Sequence, residues 1–121
     1  MNNNVFNIRK GERINALLPL NAERDVVFAS EELIRFLERA TLSQVVFYDF
    51  TIVEQGVISI GNTELLAKKG LKADFAEVGK EGYKIKTLDG SLYIYAATPK
   101  GVLNGVYGFF EHHFHSFRNG V

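Results

Sequence analysis

The stretch YKIKTLDGSLYIYAA, residues 83–97, decides how this sequence folds. Asp89-Gly90 stands between two runs in which apolar and polar residues alternate, and this dipeptide is typical of a two-residue type I′ β-hairpin. A loop of that length fixes the register, so Lys86 should lie opposite Tyr93. We assign the face that carries Ile94 to the core. The face that carries the lysines and tyrosines is expected to be solvated, with lysine stems lying on the rings.

A helix is predicted directly after the hairpin. Thr98 is a suitable N-cap, Pro99 favours the first helical position, and the helix should run to about Phe114. On a helical wheel the apolar and aromatic residues form one broad arc. These residues are Val102, Leu103, Val106, Tyr107, Phe109, Phe110 and Phe114.

Three glycines fall on the other side of this helix: Gly101, Gly105 and Gly108. Each lowers helix stability by about 1 kcal/mol relative to alanine, so a close approach at this side is expected. We expect the sheet on the aromatic side, and another helix or a neighbouring domain on the glycine side. A glycine face open to water is the alternative.

The rest of the chain alternates between strand and helix patterns. Apolar residues at spacings of three and four predict an amphipathic helix over about 23–40, with Asn21 as its N-cap. Its core positions should be Val26, Ala29, Leu33, Phe36, Leu37 and Ala40. Strands are predicted at 5–8, 14–20, 45–48 and 57–61, with the first two paired, and a short helix at 64–69 closed by Gly70. Residues 71–81 have no clean period and are expected to be irregular.

Composition limits the classes of function. The 121 residues favour a single domain, 1–121, and 14 basic against 14 acidic side chains argue against a nucleic-acid or anionic-membrane surface. Without cysteine there is no disulfide, thiolate nucleophile or cysteine zinc site. No apolar run is long enough to span a membrane, and the N-terminus lacks a signal-peptide pattern. A cytoplasmic protein or an excised domain would both look like this.

Few residues suggest chemistry. Glu111, His112 and His115 share helical spacing and form a weak candidate metal site, although histidines in a last helical turn also act as partners of the helix dipole. The glycines of the last helix lack the context of a phosphate loop, and neither a nucleophile elbow nor a carboxylate pair stands out. We therefore expect no catalytic residue and no cofactor.

Four motifs in order resemble a known accessory domain. They are 29–37 (ASEELIRFL), 58–63 (ISIGNT), 81–85 (EGYKI) with Asp89-Gly90, and 98–107 (TPKGVLNGVY). Together they are similar to the N-terminal non-catalytic domain of α-glucuronidases of glycoside hydrolase family 67 and of related hexosaminidases. The resemblance covers about residues 5–115. One departure is Thr41-Leu42, where relatives often have Thr-Gly.

The resemblance implies an α+β fold, a mixed sheet with two main helices on one face, like the hexosaminidase accessory domain and zincin-like in topology. It implies a downstream (β/α)8 barrel that carries the catalytic carboxylates, and a periplasmic or extracellular location if a signal peptide was removed. It also offers two reasons for the glycines: the two long helices packing side by side, or docking of the barrel.

Two other functions stay open. A carbohydrate-binding module could present Tyr93 and Tyr95 to a glycan from one face of the hairpin. A protein-interaction or homo-oligomer module could use the helix end at 109–115. The sugar, its linkage and the oligomeric state are not determined by the sequence.

Overall fold

The computed structural model of the chain describes residues 11, 13–42, 44–48 and 56–111. The described part holds a five-stranded sheet and four helices. The strands are β1 (Arg13–Leu17), β2 (Gln44–Tyr48), β3 (Val57–Ile60), β4 (Lys84–Leu88) and β5 (Ser91–Tyr95). The helices are α1 (Arg24–Thr41), α2 (Glu64–Lys68), α3 (Phe75–Val78) and α4 (Pro99–Phe109).

The sheet is mixed, with the strand order β2-β1-β3-β5-β4. Four strands run parallel, and β4 lies antiparallel to β5 at one edge. The hairpin register is confirmed, with Lys86 opposite Tyr93. Asp89 and Gly90 both have positive φ, at 51° and 79°, as a type I′ turn requires.

One face of the sheet, which we call the helical face, is covered by α1 and α4. Its strands contribute Ile14, Ala16, Ile58, Ile60, Leu92 and Ile94 to an apolar core. From α1, Val26, Ala29, Leu33 and Leu37 are buried as expected. Ala40 is exposed, and Thr41 is buried in its place with its hydroxyl donating to the Leu37 carbonyl. The predicted pair of helices on one face is therefore confirmed.

The other face, which we call the opposite face, carries a second apolar core. Leu65 and Leu66 of α2 pack there with Ala73 against Leu17, Val57, Tyr93 and Tyr95. The expectation that the tyrosine face of the hairpin is solvated is wrong, because α2 and the chain that follows it cover this face. Residues 71–81 are not wholly irregular, since they contain the one-turn helix α3.

Helix α1 covers the helical face although no side chain caps its start and a non-glycine residue closes its end. Glu23 is the N-cap without a side-chain hydrogen bond, so the assignment of Asn21 to this position is wrong. Asn21 instead adopts a positive φ of 58° in the turn before the helix. At the other end Leu42 has a φ of 57°, a conformation that favours glycine. Because no side chain caps its start, α1 depends mainly on the packing of its buried residues.

Two predictions fall partly or wholly outside the described residues. These are the strand at 5–8 and the end of the last helix beyond Glu111. The start of α4 is as predicted, with Thr98 as N-cap and Pro99 in the first turn.

Candidate functional site: the carboxyl edge of the sheet

Three of the four motifs meet where the parallel strands end. The motif at 58–63 ends β3 there, and the chain turns sharply at Gly61. Gly61 has a φ of 80°, and its N–H continues the ladder by donating to the Ile94 carbonyl at 2.8 Å. Thr63 caps α2 by accepting from the Leu66 N–H at 3.1 Å. Its hydroxyl also lies 2.6 Å from that of Ser59, so the exit of β3 is held rigidly.

The start of α4 is joined to the segment before β4, residues 80–83. The Thr98 hydroxyl accepts from the Gly101 N–H at 3.0 Å and donates to the Lys80 carbonyl at 2.6 Å. One turn further on, the Asn104 amide donates to the Glu81 carbonyl at 3.0 Å. These hydrogen bonds fasten the first two turns of α4 to residues 80–83, and we call this arrangement the clamp.

The glycines of α4 complete this clamp. A Cβ at Gly101 would meet the Gly82 carbonyl oxygen and lie 2.6 Å from the Ala96 Cβ. A Cβ at Gly105 would lie 2.8 Å from the Ile94 side chain and 3.3 Å from the Tyr83 ring. At Gly108 it would meet the same ring. The glycines therefore let α4 lie close to β5 and Tyr83.

The assignment of the two sides of α4 is therefore wrong. We expected the sheet on the aromatic side and a helix or a domain on the glycine side, and the structure exchanges them. Phe110 stacks on Phe36 of α1, with ring centroids 4.0 Å apart. Tyr107 donates a 3.3 Å hydrogen bond to Glu32 of α1. The aromatic side thus forms the contact between the two helices, and Tyr83 and β5 occupy the glycine side.

A groove follows the carboxyl edge and has three parts that share lining residues. The middle part, about 220 Å³, lies above the end of β3 and is lined by residues such as Pro19, Asn21, Asn62 and Pro99. Thr98, Pro99 and Glu23 are shared with a cleft of about 460 Å³ between the starts of α1 and α4. Asn62 and Ala97 are shared with a third part, about 650 Å³, beside α2 and α3.

The side chains that line the cleft between α1 and α4 have balanced charge. Glu23, Asp25 and Glu81 stand against Arg24, Lys80 and Lys100. Within the described ranges these six side chains form no ion pair with one another. The cleft therefore offers hydrogen-bond donors and acceptors rather than one sign of charge.

The tyrosines proposed as a sugar platform lie elsewhere. Tyr93 is fully buried and Tyr95 is 3% exposed, both on the opposite face. Burial raises the pKa of each phenol, and the Tyr93 hydroxyl has no hydrogen-bond partner among the described residues. Neither ring is open to a glycan, because α2 and the chain after it cover them.

The candidate metal site cannot be built from the described part of the chain. Glu111 is described, whereas His112 and His115 lie outside the described residues. Among the described residues no group of three or more metal-binding side chains occurs. Nor does any described helix have the length and apolar character to cross a membrane.

The order of the motifs identifies the right segments but does not show which of their residues make the contacts. Asn62 lines the groove, Asn104 donates a hydrogen bond to the Glu81 carbonyl, and Tyr83 packs its ring against α4. Among these residues, only Asn104 has a sequence feature that suggests a tertiary hydrogen bond, because it is a polar residue in the middle of a largely apolar helix.

The architecture defines the chain as an α+β domain with a mixed sheet and its two main helices on one face. The family model described as "Glycosyl hydrolase family 67 N-terminus" matches residues 3–111, so the chain belongs to this family of N-terminal domains. The resemblance drawn from the motifs is confirmed. A search of curated protein sequences returned no match.

A solved structure shows the same fold. It is described as a family GH115 4-O-methyl-α-glucuronidase with specificity for decorated arabinogalactans. The similarity has a TM-score of 0.71 at 19% sequence identity and covers 88% of this chain. The chain corresponds to only 14% of that protein, whose substrate is therefore a property of a much longer polypeptide.

Proposed function

We propose that residues 1–121 form a single non-catalytic accessory domain that supports an adjacent (β/α)8 barrel of a glycoside hydrolase in carbohydrate degradation. The observation that carries this proposal is the family match over residues 3–111, which includes every described residue. The proposal assigns the catalytic carboxylates to the barrel and none to this chain.

The outer surface of the two long helices supports the proposal. Phe28 of α1 is 43% exposed and Tyr107 of α4 is 38% exposed. Phe28 lies one turn before Glu32, the residue to which Tyr107 is hydrogen-bonded, so both rings are at the seam between the helices. Exposed aromatic side chains at one seam are typical of a surface that another domain covers.

The coding sequence after codon 121 is the first test. A reading frame that continues into a (β/α)8 barrel is expected. A stop codon at that point would contradict the proposal, because the accessory role needs a catalytic domain in the same chain.

An activity assay is the second test. The purified 121-residue chain is expected to leave an aryl α-glucuronide intact, whereas the longer protein should cleave it. Hydrolysis by the isolated chain that persists through repeated purification would show that the chain has catalytic residues of its own.

A further inference from the structure

The exit of β3 differs from those of its two neighbours in the sheet. After β1 and β5 the chain turns to the helical face and enters α1 and α4, whereas after β3 it turns to the opposite face and enters α2. Chains that leave adjacent parallel strands toward opposite faces open a crevice between them. In open α/β sheets such a crevice is where ligands bind.

The middle part of the groove occupies this crevice. Its walls come from all three exits: Pro19 and Asn21 after β1, Asn62 after β3, and Thr98 and Pro99 after β5. Hydrogen bonds hold two of these exits in place, from Gly61 to Ile94 and from Thr98 to Lys80. The walls are thus formed before any ligand arrives, which lowers the entropic cost of binding.

The lining indicates the chemistry of the ligand. Asn21 and Asn62 are exposed, and their side-chain amides make no hydrogen bond within the described ranges, so both can donate and accept. Pro19 and Pro99 add apolar surface beside the amides. The adjoining cleft carries three charges of each sign, which favours neither an anion nor a cation. A neutral ligand rich in hydroxyl groups fits this combination.

We propose that the crevice above β3 binds a segment of a neutral oligosaccharide, with Asn21 and Asn62 as its hydrogen-bonding residues. The choice of a sugar among hydroxyl-rich ligands rests on the proposed role in a glycoside hydrolase. The site differs from the buried tyrosines of the hairpin, and it would let the domain hold the polysaccharide near the enzyme without taking part in the reaction.

NMR titration of the ¹⁵N-labelled 121-residue chain tests the site. Two probes are used: arabinogalactan oligosaccharides that carry 4-O-methylglucuronic acid, and the same oligosaccharides after removal of the uronic acid. We expect both to shift the backbone amides of 61–63 and of Ala97, Thr98, Lys100 and Gly101. The two affinities should agree within about threefold, because the charged side chains of the crevice and the adjoining cleft together carry no net charge.

Two variants link the shifts to the amides. Asn21→Gly removes one amide while tolerating the positive φ of that position, and Asn62→Ala removes the other at an exposed site. The double variant should bind about tenfold more weakly or worse. Lys86→Ala, at an exposed position of the edge strand β4 that does not line the crevice, is the control and should bind like the parent chain.

Three results would overturn the proposal: no shift with either probe, shifts that lie away from the crevice, or binding of the uronic-acid probe alone. Undiminished binding by the double variant would overturn the role of the two asparagines. Each of these results is compatible with a reading frame that continues into a barrel, so failure of the glycan site and failure of the accessory role are distinguishable.

Discussion

The two faces of the sheet are buried by different means. On the helical face, two long helices cover strand residues that are buried and apolar: Ile14, Ala16, Ile58, Ile60, Leu92 and Ile94. On the opposite face, two short helices and the chain around them cover Ser59, Ser91 and Tyr93 as well as apolar residues. Ser91 accepts from the Val57 N–H at 3.2 Å, and Ser59 is paired with Thr63, so these hydroxyls are buried with partners.

The difference shows what alternation in a hairpin can determine. Alternation identifies which residues share a face, but it does not say whether something covers that face. The lysines opposite the tyrosines suggested solvent. In the structure Lys84 lies at the rim, where its ammonium forms a 2.6 Å ion pair with Glu77 of α3 while Tyr95 is buried.

Removing a ring from the opposite face should have the largest effect. Tyr93→Ala deletes a fully buried side chain, and we expect the free energy of unfolding to fall by about 4 kcal/mol in a urea titration. Tyr107→Ala, at a ring that is 38% exposed, should cost about 1 kcal/mol or less. Equal losses in the two variants would mean that the opposite face is not a core.

A methyl group on the glycine side of α4 tests how closely the helical face is packed. Gly101→Ala gains about 1 kcal/mol of helix propensity, but its Cβ meets a backbone carbonyl and Ala96. A net loss of about 2 kcal/mol is expected, measured by thermal and urea unfolding. The neighbouring exposed Lys100→Ala is the control and should stay within about 0.5 kcal/mol of the parent chain. Stabilisation by Gly101→Ala would show that this side is open.

A substitution at the end of α1 is expected to raise stability rather than lower it. Leu42 is 65% exposed at a φ of 57°, so Leu42→Gly removes strain without uncovering the core. We expect a gain of about 1 kcal/mol. Hydrogen exchange should show the last turn of α1 better protected and α2 unchanged. A loss of stability would instead assign the Leu42 side chain a packing role.

The smallest effect on the free energy of unfolding is expected from alkaline pH. Burial raises the pKa of Tyr93 and of Tyr95 above the ordinary phenol value, so the unfolded chain releases these protons first as pH rises. Their contribution to stability is complete below about pH 10 and is lost as pH rises through the folded-state pKa. Tyr93→Phe/Tyr95→Phe should flatten the decline in unfolding free energy above pH 10. An unchanged slope would contradict burial of the phenols.

Local signals predicted most of the fold. The Asp89-Gly90 turn determined the hairpin register, Thr98-Pro99 the start of α4, and the spacing of Leu33 and Leu37 the buried side of α1. Each depends on residues close together in the chain. The exception is Asn21, predicted as the N-cap of α1, which instead adopts a positive φ in the turn before the helix.

The groove was not predictable from the sequence because its walls come from distant segments. Asn21, Asn62 and Pro99 meet only after β1, β3 and β5 become neighbours. No spacing in the chain encodes that order. The four motifs identified the family, but nothing local in them showed that three would converge on one edge.

By itself, the sequence determined most of the elements, the hairpin register and the membership of the family, since periodicity, turns and caps act over a few residues. The tertiary structure alone decided which faces are covered. It buried Tyr93 and Tyr95 beneath α2 and placed the glycines of α4 against Tyr83 and β5. Burial and close approach depend on what the rest of the chain brings to a surface, and a local pattern contains no information about that.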